Sequence, residues 1–172
     1  MPTAIVTYPN PYDPSYNTVA QLVGDSAYVV LGTLDSGSTV TGPGQDGTPT
    51  TYYQIQVQRT LSDQDPRNEL FVSADVVKAA KLSPSGTYIY FWAEDTTDNR
   101  TCIVGGVRGV MAYDPSTGTV TRLDQNASSQ IPRTQTLEQL QGSVQAAINV
   151  IQKQPATNPP PACSLSATGL SQ

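Results

Sequence analysis

Two small groups of carboxylates are the residues whose types and spacing could support catalysis. Glu94, Asp95 and Asp98 follow an aromatic, strand-like run, and Asp63 and Asp65 lie in a polar connection. Such groups could form a glycosidase-like acid pair or a calcium site. Neither matches the spacing of a calcium-binding loop, and both have the setting of solvated turn residues between strands. A carboxylate-dependent hydrolase acting through Glu94 is therefore the last of three functional hypotheses.

The chain has no histidine at any of its 172 positions. This excludes Ser-His-Asp and Cys-His catalysis, as well as zinc sites that contain histidine. The glycine-rich segment 105–109 has the look of a phosphate loop but lacks the Lys-Ser/Thr ending, so a sharp bend between strands is the simpler interpretation. We expect no catalytic activity and no cofactor.

The composition limits which binding partners and which cellular location we expect. Charged residues make up 13% of the chain, the net charge is −5, and lysine and arginine form no cluster. Nucleic acid is therefore not an expected partner. No run of about 18 apolar residues is present, so we expect no membrane insertion. Low charge with abundant Thr and Gln is typical of an extracellular β-protein, and we expect secretion or a cell-surface location, with a signal peptide removed and Met1 added as a start codon.

Aromatic residues provide the second and third kinds of candidate site. Tyr88, Tyr90 and Trp92 alternate along one predicted strand and therefore share a face. That face could bind a carbohydrate or another small ligand if it is exposed, or it could belong to the core. A second set of tyrosines spaced along the Pro-rich N-terminus could dock on another subunit or fold onto their own domain. These residues are Tyr8, Tyr12 and Tyr16.

Two cysteines, Cys102 and Cys163, leave two interpretations open. They could be unrelated thiols, one buried and one exposed. Alternatively, a disulfide could join the C-terminal tail to the body of the protein, which would stabilise the fold by roughly 4 kcal/mol in the chain-entropy model. A disulfide would also indicate an oxidising compartment.

The elements that must position these residues are mostly strands. In residues 53–58, apolar residues alternate with Gln54, Gln56 and Gln58, which predicts an antiparallel strand with one wet face. Residues 27–34 predict a central strand, and the Gly-rich segment 35–50 predicts a long mobile loop. Leu137, Leu140, Val144, Ile148 and Ile151 follow a helical spacing. Thr136 and Gln139 predict a capping box at the start of that helix.

The organisation that follows is a mainly β fold of five to seven antiparallel strands in a closed or partly open barrel. One C-terminal helix, at about 136–154, covers the barrel. Residues 1–23 form an extended arm with a short helix near 17–23, residues 24–154 form the barrel and its helix, and residues 155–172 form a Pro/Ser-rich tail.

The order of these segments resembles a known family. The strands Leu31-Gly32-Thr33-Leu34, Tyr53-Gln54-Ile55-Gln56-Val57, Leu70-Phe71-Val72 and Gly86-Thr87-Tyr88-Ile89-Tyr90-Phe91 resemble the OB-fold barrel of tissue inhibitors of metalloproteinases and netrin modules. They also resemble a class of small secreted bacterial proteins. The inhibitors chelate their target's zinc through an N-terminal cysteine. This chain begins Met1-Pro2-Thr3, so the resemblance implies the fold and not that mechanism.

The leading hypothesis is a non-catalytic secreted module that binds a protein partner or associates with itself as a structural subunit. Extended termini and an uncharged strand face favour association, because charge is the usual means by which proteins protect sheet edges. A carbohydrate- or small-ligand-binding barrel is the second hypothesis, and the hydrolase is the third.

Overall fold

The structure is a computed structural model that describes residues 16–43, 49–66, 69–95 and 100–153. Within these ranges the side chains of residues 43, 94, 95, 100–102, 152 and 153 are not described. The helices are α1 (Val19–Gly24), α2 (Ala74–Ala80) and α3 (Leu137–Lys153). The strands are β1 (Tyr28–Pro43), β2 (Pro49–Thr60), β3 (Leu70–Ser73), β4 (Thr87–Asp95), β5 (Arg100–Ile103), β6 (Val110–Asp114), β7 (Thr119–Arg122) and β8 (Thr134–Thr136).

The strands form one antiparallel sheet in the order β3-β2-β1-β4-β6-β7-β8, and β5 also pairs with β4. A mainly β, antiparallel fold with a C-terminal helix is thus confirmed, but the prediction that the sheet closes into a barrel is wrong. In the described part of the chain, no ladder joins β3 to β8 or to β5. The reason lies in how β4 is paired. β5 pairs with residues 92–95 at the end of β4, and β6 pairs with residues 88–90 of the same strand. The sheet therefore extends through β6, β7 and β8 instead of returning to β3.

Both faces of the central strands are buried. One face, the helix face, packs Ile89 and Phe91 of β4 against α1 and α3. The opposite face, the α2 face, packs Tyr90 and Trp92 of β4 together with residues of α2. A closed barrel would enclose a single core, whereas an open sheet with two apolar faces needs a cover on each of them. The helices provide those covers.

The C-terminal helix follows the predicted spacing and start. The backbone N–H of Gln139 donates to Oγ1 of Thr136 at 3.1 Å, and the backbone N–H of Thr136 donates to Oε1 of Gln139 at 2.9 Å. This is the predicted capping box. Leu137, Leu140 and Val144 are buried, Ile148 is partly buried and Ile151 is 42% exposed. In the described residues, none of the helices is both long enough and apolar enough to span a membrane.

The predicted loop 35–50 is largely a long β-ribbon instead. β1 continues to Pro43, and its residues 39–43 pair with residues 49–53 of β2. The register shifts between Asp35 and Thr39, so residues 36–38 bulge out of β1. The glycine and serine residues that predicted a loop include residues 36–38, which form the bulge, where extra residues are tolerated. Beyond the bulge, the Thr-containing segments 39–43 and 49–53 pair as strands.

The N-terminal helix is part of the domain. Residues 17–23 were expected to contain a short helix, and α1 confirms it. Thr18 and Gln21 form a capping box, and Leu22 is completely buried on the helix face. Residues 1–15 and the tail 155–172 lie outside the described residues.

Candidate interaction surface

The sheet has an open edge along the second half of β2. On one side β2 pairs with β1 as far as Thr60, but on the other side β3 pairs only with residues 52–55. The connection 61–69 returns to β3, and its described part makes no backbone hydrogen bond to residues 56–60. Alternate residues of an antiparallel edge strand direct both N–H and C=O away from the sheet. Residues 56–60, which we call the β2 edge, therefore present backbone groups that can pair with another strand.

The side chains of the β2 edge are exposed and nearly uncharged. Gln56, Gln58 and Arg59 are exposed, and Val57 is 40% exposed. Val57 was predicted to face inward with Ile55, which is buried. The register shift between Leu31 and Gly32 leaves Gln58 without a partner on β1, directly after Val57, and Val57 itself pairs with Gly32, which has no side chain to cover it.

The side chains of Gln54, Gln56 and Gln58 are held in place on this strand, because each side-chain amide donates a hydrogen bond to a neighbouring strand or loop. Gln54 Nε2 donates to Glu69 Oε2 at 2.7 Å, and Gln56 Nε2 donates to Asp35 Oδ2 at 3.2 Å. Gln58 Nε2 donates to Thr33 Oγ1 at 2.6 Å. These bonds order the polar surface next to the edge before any partner arrives, which lowers the entropic cost of association.

Asp35 organises the bulge that borders this surface. Its carboxylate accepts from the backbone N–H of Gly37 at 3.0 Å and from Ser38 Oγ at 2.9 Å, in addition to Gln56. Hydrogen bonds from the side chains of Ser38 and Gln56, followed by that of the Gly37 backbone, hold the pKa of Asp35 below its usual value. The ionised carboxylate thus keeps residues 36–38 in their bulged conformation.

Arg59 is the one charged residue of the β2 edge, and its side chain is engaged elsewhere. Its Nη2 donates to Oε1 of Gln141 on α3. Natural edge strands are commonly protected by charged side chains that point outward. Because the guanidinium of Arg59 is bonded to α3, its charge opposes the pairing of another strand at the β2 edge less than an outward-pointing lysine would.

The aromatic row of β4 is part of the core. Tyr88, Tyr90 and Trp92 share one face as predicted, but their exposed fractions are 7%, 0% and 2%. The indole of Trp92 stacks on Tyr28, and Tyr88 lies edge-on to Tyr90. Rings buried in this way offer no platform for a sugar, so the binding face required by the carbohydrate hypothesis is not at the surface.

The tyrosines of the N-terminal arm are only partly within the structure. Tyr16 is 5% exposed, and its hydroxyl donates to Oδ2 of Asp25. Tyr16 therefore anchors the start of the described chain to its own domain. Tyr8 and Tyr12 lie outside the described residues, and the docking-arm prediction for them stays a prediction.

The carboxylate candidates do not assemble into a site among the side chains that the structure describes. Asp63 and Asp65 are exposed on the connection after β2. The side chains of Glu94 and Asp95, like all of Asp98, are not described. No group of three or more potential metal ligands occurs among the described residues.

The cysteine prediction also falls largely outside the structure. The backbone of Cys102 lies in β5, opposite Ala93 of β4. Its side chain and the whole of Cys163 are outside the described residues, so the disulfide stays a prediction.

The segment 105–109 forms a sharp turn between β5 and β6, in agreement with the bend interpretation. Gly105 and Gly106 adopt φ values of +69° and +59°, which only glycine accepts without strain. A 3₁₀ turn follows at Gly106–Gly109 and places Arg108 in the interior, where it is 4% exposed. Sequence reasoning missed this buried charge, for which the only signal was an arginine between glycines at a strand junction.

Comparison with known proteins gives no relative from which a function could be transferred. The chain matches no protein-family model, no curated protein and no solved structure.

Proposed function

We propose that this protein is a non-catalytic, secreted assembly module that associates with a second copy of itself by adding strands at the β2 edge. The observation that carries the proposal is that, among the described residues, 56–60 pair with β1 on one side and with no strand on the other, and residues 56–59 are exposed. Strand addition at such an edge obtains its affinity from main-chain hydrogen bonds.

The size and charge of the edge support pairing between two copies. Five residues of strand span about 17 Å, enough for a short antiparallel ladder. Two such edges placed side by side would bring together amide side chains, Val57 and Arg59 from each copy. Arg59 is held by Gln141 on its own α3, so the like charges are drawn away from the shared ladder. The resemblance to netrin-like modules, drawn from segments of β1 to β4, stays a prediction.

Secretion is part of the same proposal. It is supported by the low content of charged residues, 13% of the chain, together with abundant Thr and Gln. A surface or extracellular subunit needs an exposed pairing edge, and it needs no catalytic group.

Two matched valine variants test the proposal. Val57 lies on the β2 edge and is 40% exposed, whereas Val150 lies on α3 and is 56% exposed. Sedimentation equilibrium should show concentration-dependent dimers for the wild type and for Val150→Lys. Val57→Lys should weaken the dimer about tenfold or more, because it places a charge at the centre of the paired strands.

Sedimentation equilibrium also gives the outcomes that would contradict the proposal. A wild-type protein that stays monomeric at every concentration tested would remove self-association. A dimer that Val57→Lys and Val150→Lys weaken equally would place the interface away from the β2 edge.

A further inference from the structure

A groove lies at the end of the sheet where β8 is the last strand. Its walls are β8 and the segment before it, the start of α1, and one side of α3. Its volume is about 810 Å³, which is within the range of sites that bind small ligands. None of its lining residues belongs to the β2 edge.

The lining of the groove is polar but uncharged. Six of the described residues that line it carry amide or hydroxyl side chains: Thr18, Gln130, Thr134, Gln135, Gln139 and Ser143. The other described lining residues are apolar or glycine. A charged ligand would lose part of its hydration here without gaining a counter-charge, which is unfavourable. The groove therefore fits a neutral ligand that has both hydrogen-bond donors and acceptors.

The backbone of β8 has an unpaired side. The N–H of Arg122 donates to the carbonyl oxygen of Arg133 at 2.9 Å, so the backbone of Arg133 faces β7. Because the direction alternates along an antiparallel strand, Gln135 also faces β7, and the N–H and C=O of Thr134 point away from it. Within the described part of the chain, neither of these two groups has a hydrogen-bond partner.

Gln139 shows that this unpaired side of β8 faces the groove. Its side chain lines the groove, and its Oε1 accepts from the backbone N–H of Thr136 at 2.9 Å. Thr136 is two residues after Thr134, so the backbone groups of both residues point to the same side of β8. The opposite wall includes Gly142 and Ala146 of α3, whose small side chains leave room for a main chain.

We propose that the groove binds an extended, uncharged peptide segment of a partner protein, which adds to β8 as a further strand. The N–H and C=O of Thr134 pair with the main chain of the peptide, and the amide and hydroxyl side chains of the groove bind its polar groups. A peptide fits better than a neutral sugar, because the strand edge matches a main chain and no aromatic ring is among the described lining residues.

This inference goes beyond self-association at the β2 edge and does not depend on it. Four strands, β1, β4, β6 and β7, separate β2 from β8 in the sheet. Loss of peptide binding should therefore leave the dimer unchanged in sedimentation equilibrium, and loss of the dimer should leave peptide binding unchanged.

Titration of the whole protein with capped hexapeptides tests the proposal. The probe is a mixed pool built from Gly, Ala, Ser, Thr, Val, Asn and Gln, since main-chain pairing does not depend on one sequence. In amide NMR spectra the pool should shift the Thr134 signal in a saturable way and slow its hydrogen exchange. A pool with Lys or Glu at the two central positions should bind about tenfold more weakly. An unchanged Thr134 amide at about 5 mM neutral peptide would overturn the proposal.

Two matched arginine variants locate the binding. Ser143 and Gln145 are both exposed on α3, but Ser143 lines the groove and Gln145 does not. Ser143→Arg should weaken binding of the neutral pool about tenfold or more, because it fills the groove, and Gln145→Arg should bind like the wild type. Equal affinities of the two variants would place the binding outside the groove and overturn the proposal.

Thr134→Pro separates strand addition from binding by side chains alone. Proline lacks the N–H and is tolerated on an edge strand where that N–H is not part of the ladder. The variant should bind the neutral pool about tenfold more weakly, followed by the amide signals of Gln135 and Gln139. Wild-type affinity would show that no strand is added. Should the variant not fold, the hydrogen exchange of Thr134 in the wild type decides the same question.

Maltohexaose, a neutral sugar of similar length, is the last probe. It should leave the amide signals of Thr134 and Gln139 unchanged. Shifts as large as those caused by the peptide pool would show that the groove does not select a peptide main chain, which would overturn the proposal.

Discussion

The indole Nε1 of Trp92 donates a 3.0 Å hydrogen bond to the carbonyl oxygen of Phe71. Trp92 lies on β4 and Phe71 on β3, and two strands separate them in the order of the sheet. The bond therefore crosses the α2 face and joins β3, at one end of the sheet, to β4 in its middle. The residue expected from sequence to be a ligand platform thus acts as a cross-link inside the core.

Trp92→Phe should destabilise the fold by about 2–4 kcal/mol, because it leaves the Phe71 carbonyl without its donor and leaves a cavity beside it. The free energy of urea unfolding measures this loss. Trp92 is the one tryptophan of the chain, so its fluorescence in the wild type reports the site directly. Its emission should be blue-shifted in the folded state and unchanged by added sugars. A sugar-dependent change would contradict its burial.

Two glycines should respond to alanine in opposite directions. A Cβ on Gly109 would lie 2.0 Å from the carbonyl oxygen of Val104, a clash that side-chain movement cannot relieve. Gly109→Ala should therefore cost more than about 3 kcal/mol or prevent folding. Gly142 is exposed on α3 with nothing within 4 Å of its Cβ position, so Gly142→Ala should stabilise the fold by about 1 kcal/mol. Thermal unfolding of the two variants and the wild type measures both changes in stability. A similar change in both variants would contradict this account.

Sequence patterns were sufficient where a segment is determined by its own residues. The helix α3 follows from the spacing of Leu137, Leu140 and Val144 and from the capping pair Thr136 and Gln139. The shared face of Tyr88, Tyr90 and Trp92 follows from strand alternation alone. These features depend on local geometry, so one sequence predicts them.

Features that depend on distant parts of the chain could not be predicted in the same way. Alternation places Trp92 on a face, but only the position of α2 and β3 decides that this face is buried. The ribbon at 35–43 depends on its register with β2, and the Gly/Ser-rich bulge interrupts the sequence pattern from which that register could be predicted. The burial of Arg108 depends on a turn held by β5, β6 and Tyr16 together, and an arginine is rarely expected inside a protein.

Tyr90 should make the protein sensitive to high pH. Its hydroxyl is buried without a hydrogen-bond partner among the described residues, and burial, followed by the charge of Tyr88, raises its pKa well above the usual value of 10.0. The unfolded chain therefore loses this proton at a lower pH than the folded chain. The contribution of Tyr90 is complete below pH 10 and is lost progressively as the pH rises above it.

Tyr90→Phe removes both the orphaned hydroxyl and this titration. At pH 7 its stability should be within about 1 kcal/mol of the wild type or higher, since no hydrogen bond is lost. Above pH 10 it should be the more stable of the two in urea unfolding. Tyr113→Phe, at a half-buried position, is the control and should keep the alkaline response of the wild type. A variant that responds to alkali like the wild type would show that Tyr90 is not responsible.

Asp124 should be important for stability because it joins three parts of the loop after β7. Its Oδ1 contacts Nη1 of Arg122 at 3.3 Å and accepts from the backbone N–H of Asn126 at 2.8 Å, and both charged side chains are 8–9% exposed. Its carbonyl oxygen accepts from Nη1 of Arg133 at 2.8 Å. Asp124→Asn should cost about 3 kcal/mol in urea unfolding, because it leaves Arg122 buried without its counter-ion. The same change at the exposed Asp65 should have no measurable effect, and equal effects would contradict a role for burial.

Asp35 should make the bulge beside the β2 edge sensitive to acid. Its pKa is lowered in the folded state, so the carboxylate stabilises the bulge above pH 3.8, and this contribution is lost as the pH falls through the folded value. Asp35→Ala removes the acceptor for Gly37 and Ser38 at every pH. The protection factor of the Gly37 amide against hydrogen exchange should then be lower in the variant at neutral pH and should no longer change on acidification. If the bulge also positions the β2 edge through Gln56, the variant should form weaker dimers than the wild type in sedimentation equilibrium. Faster exchange at Gly37 with unchanged dimers would separate the bulge from the interface.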